Sequence, residues 1–240
     1  MNAALFVAFL SQRATSPIRI ALAALVTLPG IAIAAFSGSL AALAGSAGFL
    51  ALVFGAGAIG QEVSSGVLQL TFARPVTRSS YVFSRWLAAG TMAVALAWIQ
   101  LAAGAALVAA HATSGATAGA VAAAAWPLAL EHVVQGYALA AVIVGLSALA
   151  GGLGDVALYV LGIFGAQILK GYATFRQWAG MERFADELIG TLQGRLSLAW
   201  LAGTGPPHLA DLVAALSTTA LGLALAVIVL NRKELSYASG

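Results

Sequence analysis

Cysteine is absent from the 240 residues, so the chain forms no disulfide, no thiolate metal site and no cysteine nucleophile. Charge is scarce: 8% of residues are Asp, Glu, Lys or Arg, where soluble domains carry about 25%. With a mean hydropathy of +0.97, such a chain has too little polar surface to face water, and hydrocarbon becomes its main solvent. Lysine occurs only at Lys170, in Ile168-Leu169-Lys170-Gly171, and at Lys233, in Asn231-Arg232-Lys233-Glu234. Neither ends a glycine-rich turn as Gly-Lys-Ser/Thr, so a phosphate-binding loop is missing and ATP hydrolysis by this chain is not expected. The histidines, His111, His132 and His208, form no i, i+4 pair. Haem and zinc sites therefore lack support, and three methionines without cysteine make a poor copper path. No metal or cofactor is expected. Gly145-Leu146-Ser147 lacks the second glycine of a Gly-x-Ser-x-Gly nucleophile turn, so Ser147 reads as a packing serine. The net charge of +3 is spread without a basic cluster, so nucleic acid is not an expected partner.

What is present is long apolar runs, such as 138–150 and 221–230. Backbone groups in lipid must be satisfied internally, so a span is a helix or a closed-barrel strand. The runs do not alternate as barrel strands do. Each helix needs about 20 apolar residues to cross, which predicts an all-α integral membrane protein with about six transmembrane helices and no large soluble domain. The expected spans are 18–36, 40–60, 82–110, 127–150, 154–170 and 209–230, within one transmembrane domain covering 1–240.

Before the first span, Leu5, Phe6, Phe9 and Leu10 share one face and are followed by Gln12 and Arg13, the pattern of an N-terminal interfacial helix. Ser16-Pro17 marks the start of the first span. Its end carries Ala32-Ile33-Ala34, similar to a signal-peptidase site, but the long apolar stretch before it reads as a retained span. The second span is rich in small residues, Gly45, Gly48, Gly55 and Gly57, which let helices approach closely. Asp155 and Lys170 bracket the fifth span as end anchors. The segment 174–193 repeats apolar residues three or four apart, with a polar back of Arg176, Glu182, Arg183, Asp186 and Glu187. It is an amphipathic helix too charged to span, expected at the outer side between spans five and six. Arg13, Arg19, Arg74, Arg78, Arg85, Arg232 and Lys233 lie on the side of the termini, against Lys170, Arg176, Arg183 and Arg195 on the other. The positive-inside rule then places both termini in the cytoplasm.

Two places carry polar residues that could act. Glu131, His132 and Gln135 lie towards the outer end of the fourth span; they either mark a pathway or sit wet at the interface. The segment 61–80 is polar between two spans. Ser64 to Phe72 can form a short surface helix, Pro75 ends it, and Thr77 or Ser79 can cap the next span. A short rigid helix there is a handle for a cytoplasmic partner, or a solvated connecting loop.

In this segment Glu62, Gly66 four residues later, Leu68 and Leu70, then Pro75-Val76-Thr77-Arg78 resemble the ABC-2 type transporter permeases. In that family the element is the coupling helix between spans two and three that docks into the ATPase. The N-terminal interfacial helix, the six-span plan and the outer segment between spans five and six resemble the family more loosely. Arg85 stands where a lysine often follows and keeps the charge. The resemblance implies the membrane-spanning permease subunit of an ATP-driven exporter in a cell (inner) membrane. It would pair with a second copy, or a related permease, and with two cytoplasmic ATPase subunits that bind the ATP. Glu62, Gly66, Leu68, Leu70, Arg74, Pro75 and Arg78 would be the ATPase-coupling residues, and Glu131, His132 and Gln135 pathway residues. The alternatives are a non-transporting membrane scaffold or assembly subunit, and an intramembrane enzyme.

Overall fold

The computed structural model describes residues 3–73, 75–111, 118–193, 196–198, 200 and 209–233. Among them there is no strand, and six helices or helical stretches are long and apolar enough to cross a membrane. The chain is a multi-pass all-α protein, as its composition dictates.

Helix α1 (Ala3–Ala14) precedes α2 (Pro17–Ser37), which begins with Ser16 extended at its N-cap and Pro17 in the first turn. Gly38, at φ 64°, ends α2 in the left-handed conformation that glycine adopts without a Cβ penalty. The chain continues through a short 3₁₀ turn (Leu40–Leu43) into α3 (Ser46–Gly55), α4 (Gly60–Ser64) and α5 (Val67–Phe72). Four long helices or returns follow: α6 (Arg78–His111), α7 (Ala118–Leu149), α8 (Gly154–Phe175) and α9 (Ala179–Gln193), and α10 (Leu209–Arg232) closes the bundle.

The boundaries depart from expectation where local chemistry is overridden. The second span is not one helix: it breaks at Ala44-Gly45 and again at 56–59, with Gly45 at φ 80° and Gly57 at φ 65°. Helix α7 begins at Ala118, ahead of Pro127, because the alanine-rich stretch before the proline is itself strongly helix-forming and Pro127 is carried inside α7. The third reaches from Arg78 to His111, and the fifth runs on to Phe175. The surface helix expected over 64–72 is two short helices joined by Gly66 at φ 74°.

The core lies where α6 and α7 meet their neighbours. Small residues permit the approach: a Cβ on Gly145 would lie 2.8 Å from the Gly222 carbonyl oxygen, and one on Gly222 would lie 2.6 Å from that of Ala141. Helices α7 and α10 therefore touch backbone to backbone, the small-residue packing that lipid-embedded helices use in place of a hydrophobic driving force. By contrast Leu25, Ile33, Phe36, Leu161, Phe164, Ile168 and Leu221 point outward, as lipid-facing side chains do.

The amphipathic segment folds back antiparallel along α8. Lys170 Nζ is 2.7 Å from Asp186, Thr174 donates to Glu182, and near the base the Tyr159 hydroxyl donates to the Leu192 carbonyl at 2.7 Å. The turn between them places Gln177 at φ 54°. Helix α9 is thus one arm of a helical hairpin.

Candidate functional site

The α4–α5 elbow is held to the bundle from several directions. Glu62 forms an ion pair with Arg85 of α6 and accepts the Tyr81 hydroxyl. Arg85 is buried, stacks over the Phe9 ring with its guanidinium carbon 3.6 Å from the centroid, and donates to Gln12 at 3.3 Å. The apolar face of α1 therefore packs on protein: Phe9 is buried and meets Tyr81 edge-on at 5.7 Å. Leu68 of α5 is buried in the same cluster, to which Leu223 and Leu230 of α10 also belong. Arg78 donates to the Leu230 and Asn231 carbonyls at 2.7 and 2.8 Å, closing the C-terminal end of α10. Thr77 accepts the Ser80 N–H and caps α6.

Of the residues that the motif singles out, Glu62, Leu68 and Arg78 face inward to these partners. Leu70 is 71% exposed, Gly66 has open space where a Cβ would stand, and Pro75 is exposed. Arg74 lies outside the described residues. The elbow thus has an anchored face and a free one, the latter carrying Ser65, Gly66, Val67 and Leu70.

Behind the elbow, the two interruptions of the second span are bridged by polar side chains of its neighbours. At 56–59 the backbone donors turn to side-chain oxygens: Gly57 N–H to Asp155 Oδ2 at 2.6 Å, and Ile59 and Gly60 N–H both to Ser147 Oγ at 2.9 Å. The Gly152 N–H donates to the Gly60 carbonyl, and Arg19 to that of Ala56. At the other interruption His132 donates from Nε2 to the Leu43 carbonyl at 3.1 Å, with the Ser46 hydroxyl 3.4 Å away. A carbonyl can only accept, so the proton sits on Nε2. Asp155, in the first turn of α8, is a buried acceptor of backbone N–H, and Ser147 does more than pack.

Glu131, His132 and Gln135 are all buried. Glu131 accepts the Leu198 N–H, and Gln135 Nε2 donates to the Leu196 carbonyl at 3.3 Å. Together they tie 196–198 to α7. Asp155, Ser147, Tyr81 and Gln12 were not singled out by the motif. The available signal for the first two was the run Gly55-Ala56-Gly57-Ala58-Ile59-Gly60, whose glycines weaken a helix, together with lone polar residues in the adjacent apolar spans.

Arg13 is buried to 1% exposure, and its Nε and Nη1 find no hydrogen-bond partner. Burial, aided by the Arg19 charge, pushes its pKa down to about 9. It stays cationic at neutral pH. Among the described residues no group of three or more His, Cys, Asp or Glu side chains could hold a metal ion.

No family model matches the sequence, and no curated protein does.

Proposed function

We propose that the chain is the membrane-spanning permease subunit of an ATP-driven exporter of the ABC-2 type, working with a second permease copy and two separate cytoplasmic ATPase subunits that bind and hydrolyse the ATP. In this reading both termini and the α4–α5 elbow lie in the cytoplasm of a cell (inner) membrane, and the α8–α9 hairpin lies towards the outer side. The observation that carries it is the two-faced elbow. Leu70 and Val67 project from it as an apolar knob, while Glu62 ties its other face to Arg85 and Tyr81 of α6 and Leu68 is buried in the core cluster that α1, α6 and α10 share. A partner that moves the knob moves the ends of the helices, which is what transfer of force from ATP binding requires. A mere connecting loop needs neither a buried anchor nor an ion pair.

The test is to purify the tagged full chain from its own host's membranes and measure nucleotide hydrolysis in the eluate. Hydrolysis should co-purify with the wild type and be lost with Leu70→Asp, which reaches the membrane in equal amount. A wild-type eluate without nucleotide hydrolysis refutes the exporter reading and leaves the scaffold reading.

A further inference from the structure

A cleft of about 640 Å³ opens between α3, α7, α8, α9 and α10, in the half of the bundle away from the elbow. It is deep. On α8 it reaches Ile163, roughly 18 Å along the axis from the Phe175 end. On α10 it reaches Thr218, roughly 14 Å in from Leu209. The hydrocarbon core is about 30 Å thick, so the floor lies near the middle of the membrane-spanning bundle. There Tyr159 donates to the Leu192 carbonyl at 2.7 Å, and it belongs to the buried cluster that holds Ala51, Phe54 and Ile143. The cleft therefore has a closed inner end.

The lining suits water better than lipid. Thr191, Gln193 and Thr218 line it half-buried at membrane depth, with Glu187 and Asp211 nearer the mouth. Glu187 is exposed, and a carboxyl group open to hydrocarbon is costly. The backbone gives an independent sign. Leu196, Ser197 and Leu198 lie outside any helix, beside α7. Glu131 accepts the Leu198 N–H, and Gln135 donates to the Leu196 carbonyl at 3.3 Å. Non-helical backbone at membrane depth stands only where protein buries it or water reaches it. Leu196 and Leu198 are buried, whereas Ser197 between them is exposed and lines the cleft.

We infer that this cleft is a water-filled vestibule, open to the aqueous phase on the side opposite the α4–α5 elbow and closed at Tyr159. It admits small hydrophilic solutes from that side to the middle of the bundle. The outward faces of the same helices differ. Leu161 of α8 and Leu221 of α10 lie outside the cleft at 66% and 70% exposure and stay in lipid. The inference does not rest on the exporter reading, on which nucleotide hydrolysis in the eluate alone bears.

The absence of native cysteine makes the test direct. Thr191→Cys and Thr218→Cys, both nearly isosteric changes, are introduced singly into the full chain, with Leu161→Cys, Leu221→Cys and Ser65→Cys for comparison. Ala214→Cys, at an exposed position of the lining, gives a third reading that does not depend on either threonine. Only variants that reach the membrane in wild-type amount are scored. The probe is the impermeant trimethylammonium-ethyl methanethiosulfonate, added to intact cells and to inverted membrane vesicles. Thiols left unreacted are counted with a maleimide after denaturation. The reagent attacks the thiolate, which forms in water and not in hydrocarbon. The lining cysteines should react from the membrane side that leaves Ser65→Cys untouched, and roughly tenfold or more faster than Leu161→Cys and Leu221→Cys. Equal rates for the lining and the lipid-facing cysteines, fast or slow, would overturn the assignment. So would reaction of the lining cysteines from the same side as Ser65→Cys.

Discussion

Ser147 Oγ lies 2.9 Å from both the Ile59 and the Gly60 amide nitrogens. One hydroxyl on α7 thus satisfies two donors that the interruption of the second span releases at a place where water is excluded. Ser147→Ala should leave both unsatisfied, at about 1–3 kcal/mol per buried group. The thermal midpoint in detergent should fall clearly, while Ser147→Thr, if accommodated, should recover part of it. An unchanged midpoint for Ser147→Ala would show that the break is satisfied in another way.

Glu62 and Arg85 should be coupled. Arg85 is buried, so Glu62→Ala strands its charge, and breaking such a pair costs about 3–5 kcal/mol. Removing both partners should cost less than the sum of the single changes. A double-mutant cycle on unfolding, with Glu62→Ala, Arg85→Met and the pair, measures this; strict additivity would mean that the contact carries no energy.

Arg13 gives a pH dependence of definite sign. Its folded pKa is lowered to about 9, so above that pH the unfolded chain binds the proton that the native state releases. Stability through this group therefore rises with pH, starting near the folded value and continuing up to the unfolded one. Below the folded pKa the buried charge is a cost. Arg13→Met should stabilise the protein at about pH 8, and its advantage should shrink by about pH 10. Paired thermal scans at the two pH values decide it; a constant difference would contradict the assignment. The groups acting on this charge are Arg19, Tyr81 and Asp155.

Gly222 cannot accept a side chain, since a Cβ would lie 2.6 Å from a backbone oxygen that has no freedom to move. Gly222→Leu should separate α7 from α10 and abolish monodisperse purification. Gly171→Ala, where a Cβ meets open space, should behave as wild type. Equal behaviour of both variants would place α10 elsewhere.

The proposed topology is open to labelling because the chain has no cysteine of its own. With Ser65→Cys and Gly180→Cys, both at exposed positions, an impermeant thiol reagent added to intact cells should reach only the cysteine introduced at position 180. The reverse pattern would invert the protein in the membrane.

The amino-acid sequence by itself determined the class of fold. Scarce charge and runs longer than about 20 apolar residues leave helices as the only way to satisfy the backbone in lipid, and the helices appear where those runs are. It also determined local punctuation: Ser16-Pro17 at the head of α2, Gly38 at its end, Thr77 capping α6. Tertiary structure alone decided the rest. Whether the glycines at 55, 57 and 60 sit in an unbroken helix or a break depends on acceptors that lie about 90 residues away, at Ser147 and Asp155. Local propensity cannot see such partners. Likewise Asp186 reads as part of the solvated back of an amphipathic helix until α9 folds along α8 and pairs it with Lys170. Chemistry at a distance in the chain becomes a site only when packing brings it together.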